Sequence, residues 1–230
     1  MDFHALYPAI QAHALVDYPK EACGIVEAGA YHSLANLSPN PERAFRMDLR
    51  GHRPQALVHS HPDGIDGPSS YDMRQQSAMG IPWIIVKVTA QGCKAPFVLG
   101  GPPAPLIGRT FRHGVHDCYA LIQDWFSRQG QRHLTPEMPR DWRWWEQGKN
   151  LYLDHYQGAG WEPTSDPQVG AIGLVQTAGS PVPNHAGVLI PDGWFLHHLV
   201  GKFSLRERAE AWLPMIRLWL SHPSFIYQGP

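Results

Sequence analysis

The sequence predicts an α+β protein with two domains. Helical and strand patterns alternate in the N-terminal third, prolines and glycines crowd residues 99–108, and a new helix followed by strands begins after them. A chain of 230 residues, 43% of them hydrophobic, is long enough to build two small cores. We expect an α/β domain at 1–100, a Pro/Gly linker at 101–108 and an α+β domain at 109–230.

The first domain is predicted to open with a helix, because apolar side chains in residues 3–16 recur near helical spacing. Ser69 or Ser70 is suited to cap a second helix that runs from about residue 71 to residue 78. Strands are predicted where apolar and β-branched residues run between turn residues, at 23–29, 56–61, 82–90 and 95–100, the last two as a hairpin.

The second domain is predicted to begin with a helix over 115–129, which carries an aspartate near its start. A loop-rich stretch follows at 130–170. Strands are then predicted at 169–177, at 185–200 on either side of an Asp-Gly turn, and at 224–229.

Composition excludes several classes of protein. The formal net charge is −1 and the basic residues form no runs, so we expect no nucleic-acid partner. No apolar run approaches 18 residues, so no membrane span is expected, and the N-terminus lacks the pattern of a secretory signal. Three widely spaced cysteines do not predict a disulfide framework, which favours synthesis in a reducing compartment.

The first candidate site lies in the stretch HSHPDGIDGPSSYD. His59 and His61 are two apart on a predicted strand, so their imidazoles share a face, and Asp72 follows in the first turn of the next helix. Two imidazoles and a carboxylate suit one Zn²⁺ ion and leave a fourth position for water. Glu21 is a candidate general base, and Ser69 is a candidate donor to a developing oxyanion.

These residues carry a family resemblance. KEACGIV, HSHP and SSYD, with ten residues between the second histidine and the aspartate, resemble the JAMM motif of the MPN-domain (Mov34/PAD-1) metalloproteases. The resemblance covers about residues 1–100. It implies that His59, His61 and Asp72 bind zinc, that Glu21 is the acid/base, and that Ser69 steadies the tetrahedral intermediate.

The second candidate site centres on Cys118. Its position beside Asp117 at a predicted helix start favours a thiolate, since the helix N-terminus lowers the pKa of a thiol. His185 begins a later strand, and His197 lies on the strand that returns after the turn. These three form a predicted Cys–His–His triad, with His198 as the rival third member because neighbouring strand side chains point to opposite faces.

This pattern also resembles a known family. Asp-Cys at a helix start, then H-x-G in a strand and a histidine twelve residues later, is similar to the NlpC/P60 cysteine peptidases, whose fold is papain-like. The resemblance covers about residues 105–225 and implies cleavage of γ-D-glutamyl–diamino-acid bonds in peptidoglycan stem peptides. Two departures are DCYA in place of the usual D-C-S-G, and an upstream aromatic, Phe111, that lacks a hydroxyl.

The tryptophans at 142, 144 and 145 form the last cluster of note. Packing beneath a long loop is the favoured interpretation, and a platform for a glycan or a partner is the alternative.

The combination of the two domains resembles the tail-tip proteins of lambda-like siphophages. It implies a virion protein, made in the host cytoplasm and acting at the host cell wall, with other tail-tip proteins and peptidoglycan peptides as partners. The first domain would trim a tail protein or cut a peptide cross-link. A structural tail component without catalysis and a bacterial cell-wall hydrolase are the two alternatives.

Overall fold

The protein is described by a computed structural model that covers residues 2–177 and 179–229. Its contacts divide the chain into two units, Met1–Pro102 and Pro103–Pro230. Helix and strand occur in both units, which confirms the predicted two-domain α+β class. Residues 104–108 belong to the second unit, because the Arg109 guanidinium donates to the carbonyls of Ala104 and Pro105, each at 2.8 Å.

The first unit is a six-stranded sheet with two helices. The helices are α1 (Tyr7–Asp17) and α2 (Ser70–Met79). The strands are β1 (Cys23–Glu27), β2 (Ala30–Leu34), β3 (Ala56–Pro62), β4 (Trp83–Thr89), β5 (Gly92–Cys93) and β6 (Phe97–Leu99). Ile10 and Ala14, four residues apart, pack α1 into the core, whereas Leu15 is exposed.

The strand order is β2-β1-β3-β4-β5, and β6 pairs with β4. Only β3 and β4 are parallel among the described pairs, and α2 makes the connection between them. Both strands are nearly buried, which explains their continuous apolar runs. This topology brings the end of β3 and the start of α2 to the same edge of the sheet.

The second unit places a helix against an antiparallel sheet. Its helices are α3 (Cys118–Arg128) and the short α4 (Leu151–His155). Its strands are β7 (Glu162–Pro163), β8 (Ile172–Val175), β9 (His185–Ile190), β10 (Trp194–His197), β11 (Leu205–Arg208) and β12 (Ile216–Ser221), in the order β11-β10-β9-β8-β12-β7. The helix α3 packs on β9, so the N-terminus of the helix meets the first residues of that strand.

The predicted turn and the predicted final strand had different outcomes. Asp192 and Gly193 both have positive φ, 62° and 71°, the conformation for which an Asp-Gly pair is selected in hairpins. The strand predicted at 224–229 is wrong, since β12 ends at Ser221. The side-chain amides of Gln129 and Gln131 satisfy the backbone there instead of a neighbouring strand.

Short 3-10 turns complete the described elements, at His4–Leu6, Arg132–Leu134, Trp144–Gln147, Pro191–Gly193 and Ala209–Ala211. Among the described residues, no helix has both the length and the apolar character needed to cross a membrane.

Candidate active sites

The two histidines of β3 and the aspartate of α2 converge on one point. His59 Nε2 lies 3.0 Å from His61 Nε2, and the Asp72 carboxylate oxygens lie 3.4 and 3.3 Å from these two nitrogens. Tetrahedral Zn²⁺ with bonds of about 2.0–2.1 Å sets its ligand atoms about 3.3 Å apart. These separations are close to those that zinc ligands need, and the three residues form a group able to hold a metal ion.

The ligand Asp72 is held in place by the helix start. Ser69 is the N-cap of α2: its hydroxyl donates to Asp72 Oδ2 at 2.7 Å and accepts from the Asp72 backbone N–H at 3.1 Å. The Ser69 N–H also donates to the same carboxylate oxygen. This reciprocal capping box fixes the carboxylate toward the histidines. The predicted oxyanion role of Ser69 stays a prediction, since its hydroxyl proton here points to the ligand.

Glu21 lies in the same cleft, which has a volume of about 550 Å³. Burial raises the pKa of Glu21 to about 7; the charge of His61 lowers this pKa and that of Asp72 raises it. A carboxyl group that titrates near neutrality is suited to general acid/base chemistry. Ser60, the residue between the two histidines, positions it: the Ala22 N–H donates to Ser60 Oγ at 2.9 Å, next to Glu21.

A loop over the metal site supplies residues that the sequence did not predict. Phe45 stacks on the His59 ring with centroids 4.5 Å apart, and Trp83 meets the same ring edge-on at 5.6 Å. Asn36 holds the loop, because its side-chain amide donates to the carbonyls of Glu21 and Ala44. Asn36 lies more than twenty residues before His59, and no local sequence pattern links the two. The sequence alone could therefore not predict this loop arrangement.

The candidate nucleophile of the second site, Cys118, is half-buried at the first turn of α3. Cys118 Sγ lies 3.2 Å from the Tyr152 hydroxyl, in a cleft of about 420 Å³ that His185 also lines. Burial and the charge of Asp117 raise the pKa of the Cys118 thiol. The predicted lowering is therefore wrong: the helix N-terminal charge is outweighed, and the resting group is a neutral thiol.

Asp117 caps α3 and forms a buried ion pair. Its carboxylate accepts from the N–H groups of Gly114 and Ala120 and from Arg140, whose Nη2 lies 2.7 Å from both of its oxygens. Arg140 also donates to the Met138 carbonyl. The loop-rich segment is thereby tied to the residue that precedes the nucleophile.

The candidate histidines of β9 and β10 lie beside each other on neighbouring strands. His197 is directly opposite Gly187, so its side chain shares a face with that of His185, and the two ring centroids are 5.4 Å apart. Burial, together with the charges of His197 and His198, lowers the pKa of His185 to about 3, so the imidazole is a free base at neutral pH. His198 instead lines the Cys118 cleft and contacts the ring of Phe111 at 5.2 Å.

Two aromatic features differ from expectation. Tyr152, which the sequence analysis missed, provides at the thiol the hydroxyl that Phe111 lacks. Burial and the nearby Cys118 raise the pKa of Tyr152, so that hydroxyl stays protonated and is able to donate. In the tryptophan cluster, Trp144 is buried in the core as favoured, whereas Trp142 and Trp145 are half-buried and line the cleft.

Comparison with known proteins assigns a family to each part of the chain. Residues 4–98 match the model of the prokaryotic homologues of the JAB domain, and residues 94–214 match the NlpC/P60 family. The fold and the two sites thus define a protein built from two peptidase-type domains.

Two curated relatives have the same organisation along most of the chain. The tail tip assembly protein K of Escherichia phage lambda is 37% identical over 171 residues, 74% of this chain and 81% of that protein. The protein of the same name from Escherichia phage N15 is 33% identical over 212 residues, 86% of both chains. This chain belongs to the family of the phage tail tip assembly proteins K.

A solved structure of a protein from Salinibacter ruber matches 42% of this chain and 78% of its own at 25% identity. Its TM-score of 0.30 is too low to support a structural argument.

Proposed function

We propose that this protein is a tail-tip hydrolase whose C-terminal unit cleaves peptidoglycan stem peptides while the phage genome passes the cell wall. The observation that carries the proposal is the half-buried Cys118 thiol, which shares a cleft with His185, beside a second histidine on the neighbouring strand. A nucleophile, a free-base imidazole and an orienting group are the parts that acyl transfer requires.

The reaction follows from the protonation states. His185 takes the proton from Cys118 Sγ as the sulfur attacks the scissile carbonyl carbon. His185 then gives that proton to the leaving amine, which departs and leaves a thioester on Cys118. A water molecule, deprotonated by His185, attacks the thioester carbonyl, and the proton returns to the sulfur as the carboxylic acid is released. His197 orients His185, and the Tyr152 hydroxyl stabilises charge that develops near the sulfur.

The N-terminal unit is proposed as a zinc-dependent peptidase or isopeptidase. His59, His61 and Asp72 would hold the ion, which when bound supplies Lewis-acid polarisation of a carbonyl and lowers the pKa of water. Glu21 would carry a proton between water and the leaving amine. The Ser69 N–H would fix Asp72, and the Ser69 hydroxyl would turn from Asp72 to donate to the oxyanion.

The place of action follows from the relatives, both named as tail tip assembly proteins. We propose other tail-tip proteins as partners, a location in the virion, and action at the host cell wall. Trimming of a tail protein is the role we assign to the zinc-dependent unit.

The C-terminal activity is tested by incubating the full chain with purified stem-peptide fragments and identifying the products by mass spectrometry. We expect cleavage by the wild type, loss in Cys118→Ala, and retention in Cys93→Ala, which removes a thiol of the other unit. Equal cleavage by wild type and Cys118→Ala refutes the thiol mechanism. A phage with both sites substituted that assembles and infects normally would support a purely structural role.

Zinc binding is tested by metal analysis of the purified full chain. The wild type should retain one equivalent, and His59→Ala should retain none. His52→Ala is the matched control, because His52 pairs with Glu27 outside the cleft. Zinc-free wild type after reconstitution with excess metal would refute the metal site.

A further inference from the structure

The third histidine of the proposed triad has its own hydrogen-bonding partner. His197 Nε2 lies 3.0 Å from Glu207 Oε2, and the Trp212 indole N–H donates to the same oxygen at 3.0 Å. The Trp212 ring also packs against His197, with centroids 4.2 Å apart. Glu207 is on β11, the neighbour of β10, so the sheet itself brings the carboxylate to the imidazole.

This contact decides which nitrogen of His197 carries the proton. A carboxylate only accepts, so the hydrogen bond requires the proton on Nε2 and leaves Nδ1 with a free lone pair. Nδ1 of His197 is buried and has no hydrogen-bond partner among the described residues. It is therefore an acceptor in need of a donor.

A matching donor lies on the neighbouring strand. His185 Nε2 is likewise buried without a partner in the described part of the chain, and the two rings are nearly perpendicular with centroids 5.4 Å apart. If His185 Nε2 carries a proton, its Nδ1 is the lone pair that accepts the proton of Cys118. If His197 were protonated at Nδ1 instead, that N–H would face the Nε2–H of His185. No hydrogen bond between the two rings could then form.

We propose that Glu207 is a positioning residue that locks His197 in the Nε2-protonated tautomer, which extends the triad to a relay of Cys118, His185, His197 and Glu207. This inference rests on the proposed function of the C-terminal unit. Proximity favours His197 over His198 as the third member, because the His197 ring lies 5.4 Å from that of His185, whereas the ring of His198 contacts Phe111.

The first test is spectroscopic and needs no substrate. In the full chain labelled with ¹⁵N-histidine, long-range ¹H–¹⁵N correlation should show His197 protonated at Nε2 and not at Nδ1, with the signal assigned by His197→Ala. Glu207→Ala should give a mixture of tautomers, whereas Glu207→Gln should keep the Nε2 form because its amide oxygen accepts the same N–H. A wild-type His197 protonated at Nδ1 overturns the proposal.

The second test is kinetic. Glu207→Ala should lower kcat on the stem peptide by about 10- to 100-fold with KM within about twofold of the wild type, as loss of an orienting partner does. Glu207→Gln should recover most of the lost kcat. Glu210→Ala, which removes an exposed carboxylate on the following turn, should leave kcat unchanged. Equal kcat in Glu207→Ala and Glu210→Ala overturns the proposal. If the wild type cleaves no stem peptide, the proposed function fails, while the spectrum still decides the tautomer.

Discussion

The buried ion pair between Asp117 and Arg140 makes the sharpest stability prediction. Both side chains are about 5% exposed or less, and three guanidinium-to-carboxylate contacts of 2.7–2.9 Å join them. The substitution Arg140→Met keeps the length of the side chain and removes these contacts. Asp117 would then be a buried carboxylate that keeps its backbone donors, Gly114 and Ala120, and the His113 ring at 3.7 Å.

The magnitude follows from two independent arguments. Removal of one partner from a buried pair costs about 3–5 kcal/mol, because the other charge is left uncompensated. Burial alone would raise the pKa of Asp117, but the charge of Arg140, that of His113 and the hydrogen bonds from Ala120 and Arg140 together bring that pKa to about 2. A fall of roughly 2 pKa units below the ordinary value corresponds to about 2.5 kcal/mol at neutral pH. We expect Arg140→Met to lower the free energy of unfolding by about 3 kcal/mol.

The sign of the pH dependence is fixed by the same pKa. Because the folded-state pKa of Asp117 is depressed, its contribution is complete above the unfolded value near 4 and is lost as the pH falls toward 2. In Arg140→Met the pKa of Asp117 is no longer lowered by the guanidinium. The difference in unfolding free energy between wild type and variant should therefore shrink as the pH falls from about 4 to about 2.

The assay is guanidinium unfolding followed by tryptophan fluorescence. Trp83 is the only one of nine tryptophans outside Pro103–Pro230, so the signal reports mainly on the unit that contains the pair. The control is Arg132→Met, which breaks an exposed ion pair and should cost less than about 1 kcal/mol. Equal losses of unfolding free energy in Arg140→Met and Arg132→Met would refute the reasoning. So would a double variant in which the losses from Arg140→Met and Asp117→Asn simply add.

Three further predictions concern the two sites. Gly187→Ala should destabilise the C-terminal unit by about 1–3 kcal/mol in the same unfolding assay, since the added Cβ would lie 2.5 Å from a phenylalanine ring. Gly158→Ala is the control and should be close to neutral, because the atom nearest to its added Cβ is 3.7 Å away. Ser69→Ala should weaken zinc binding by about 10- to 100-fold in a competition titration, and Ser77→Ala on the exposed side of the same helix should not; equal affinities would contradict the capping argument. Stem-peptide cleavage should stay active well below pH 6, because the lowered pKa of His185 keeps its imidazole a free base there. A pH–rate profile in which activity falls with a midpoint near pH 6.5 would contradict this role of His185.

Features that depend on neighbours along the chain were predictable from the sequence. The HSHP strand, the Ser69 cap and the Asp-Gly turn are set by side-chain periodicity, capping chemistry and permitted φ values, all of which act over a few residues. The same local spacing placed His59 and His61 on one strand and Cys118 at a helix start. Identification of the two domain families followed from these short patterns.

Features that depend on burial or on distant partners were decided only by the tertiary structure. The direction of the Cys118 pKa shift could not be predicted, because desolvation is a property of the packed cleft and outweighs the local helix charge. Tyr152, Arg140 and Glu207 come from segments without a periodic pattern, and they reach their partners only when loop and sheet are assembled. The sequence determined which reactive groups the protein carries, while the packing of the sheet and loops decided their protonation and orientation.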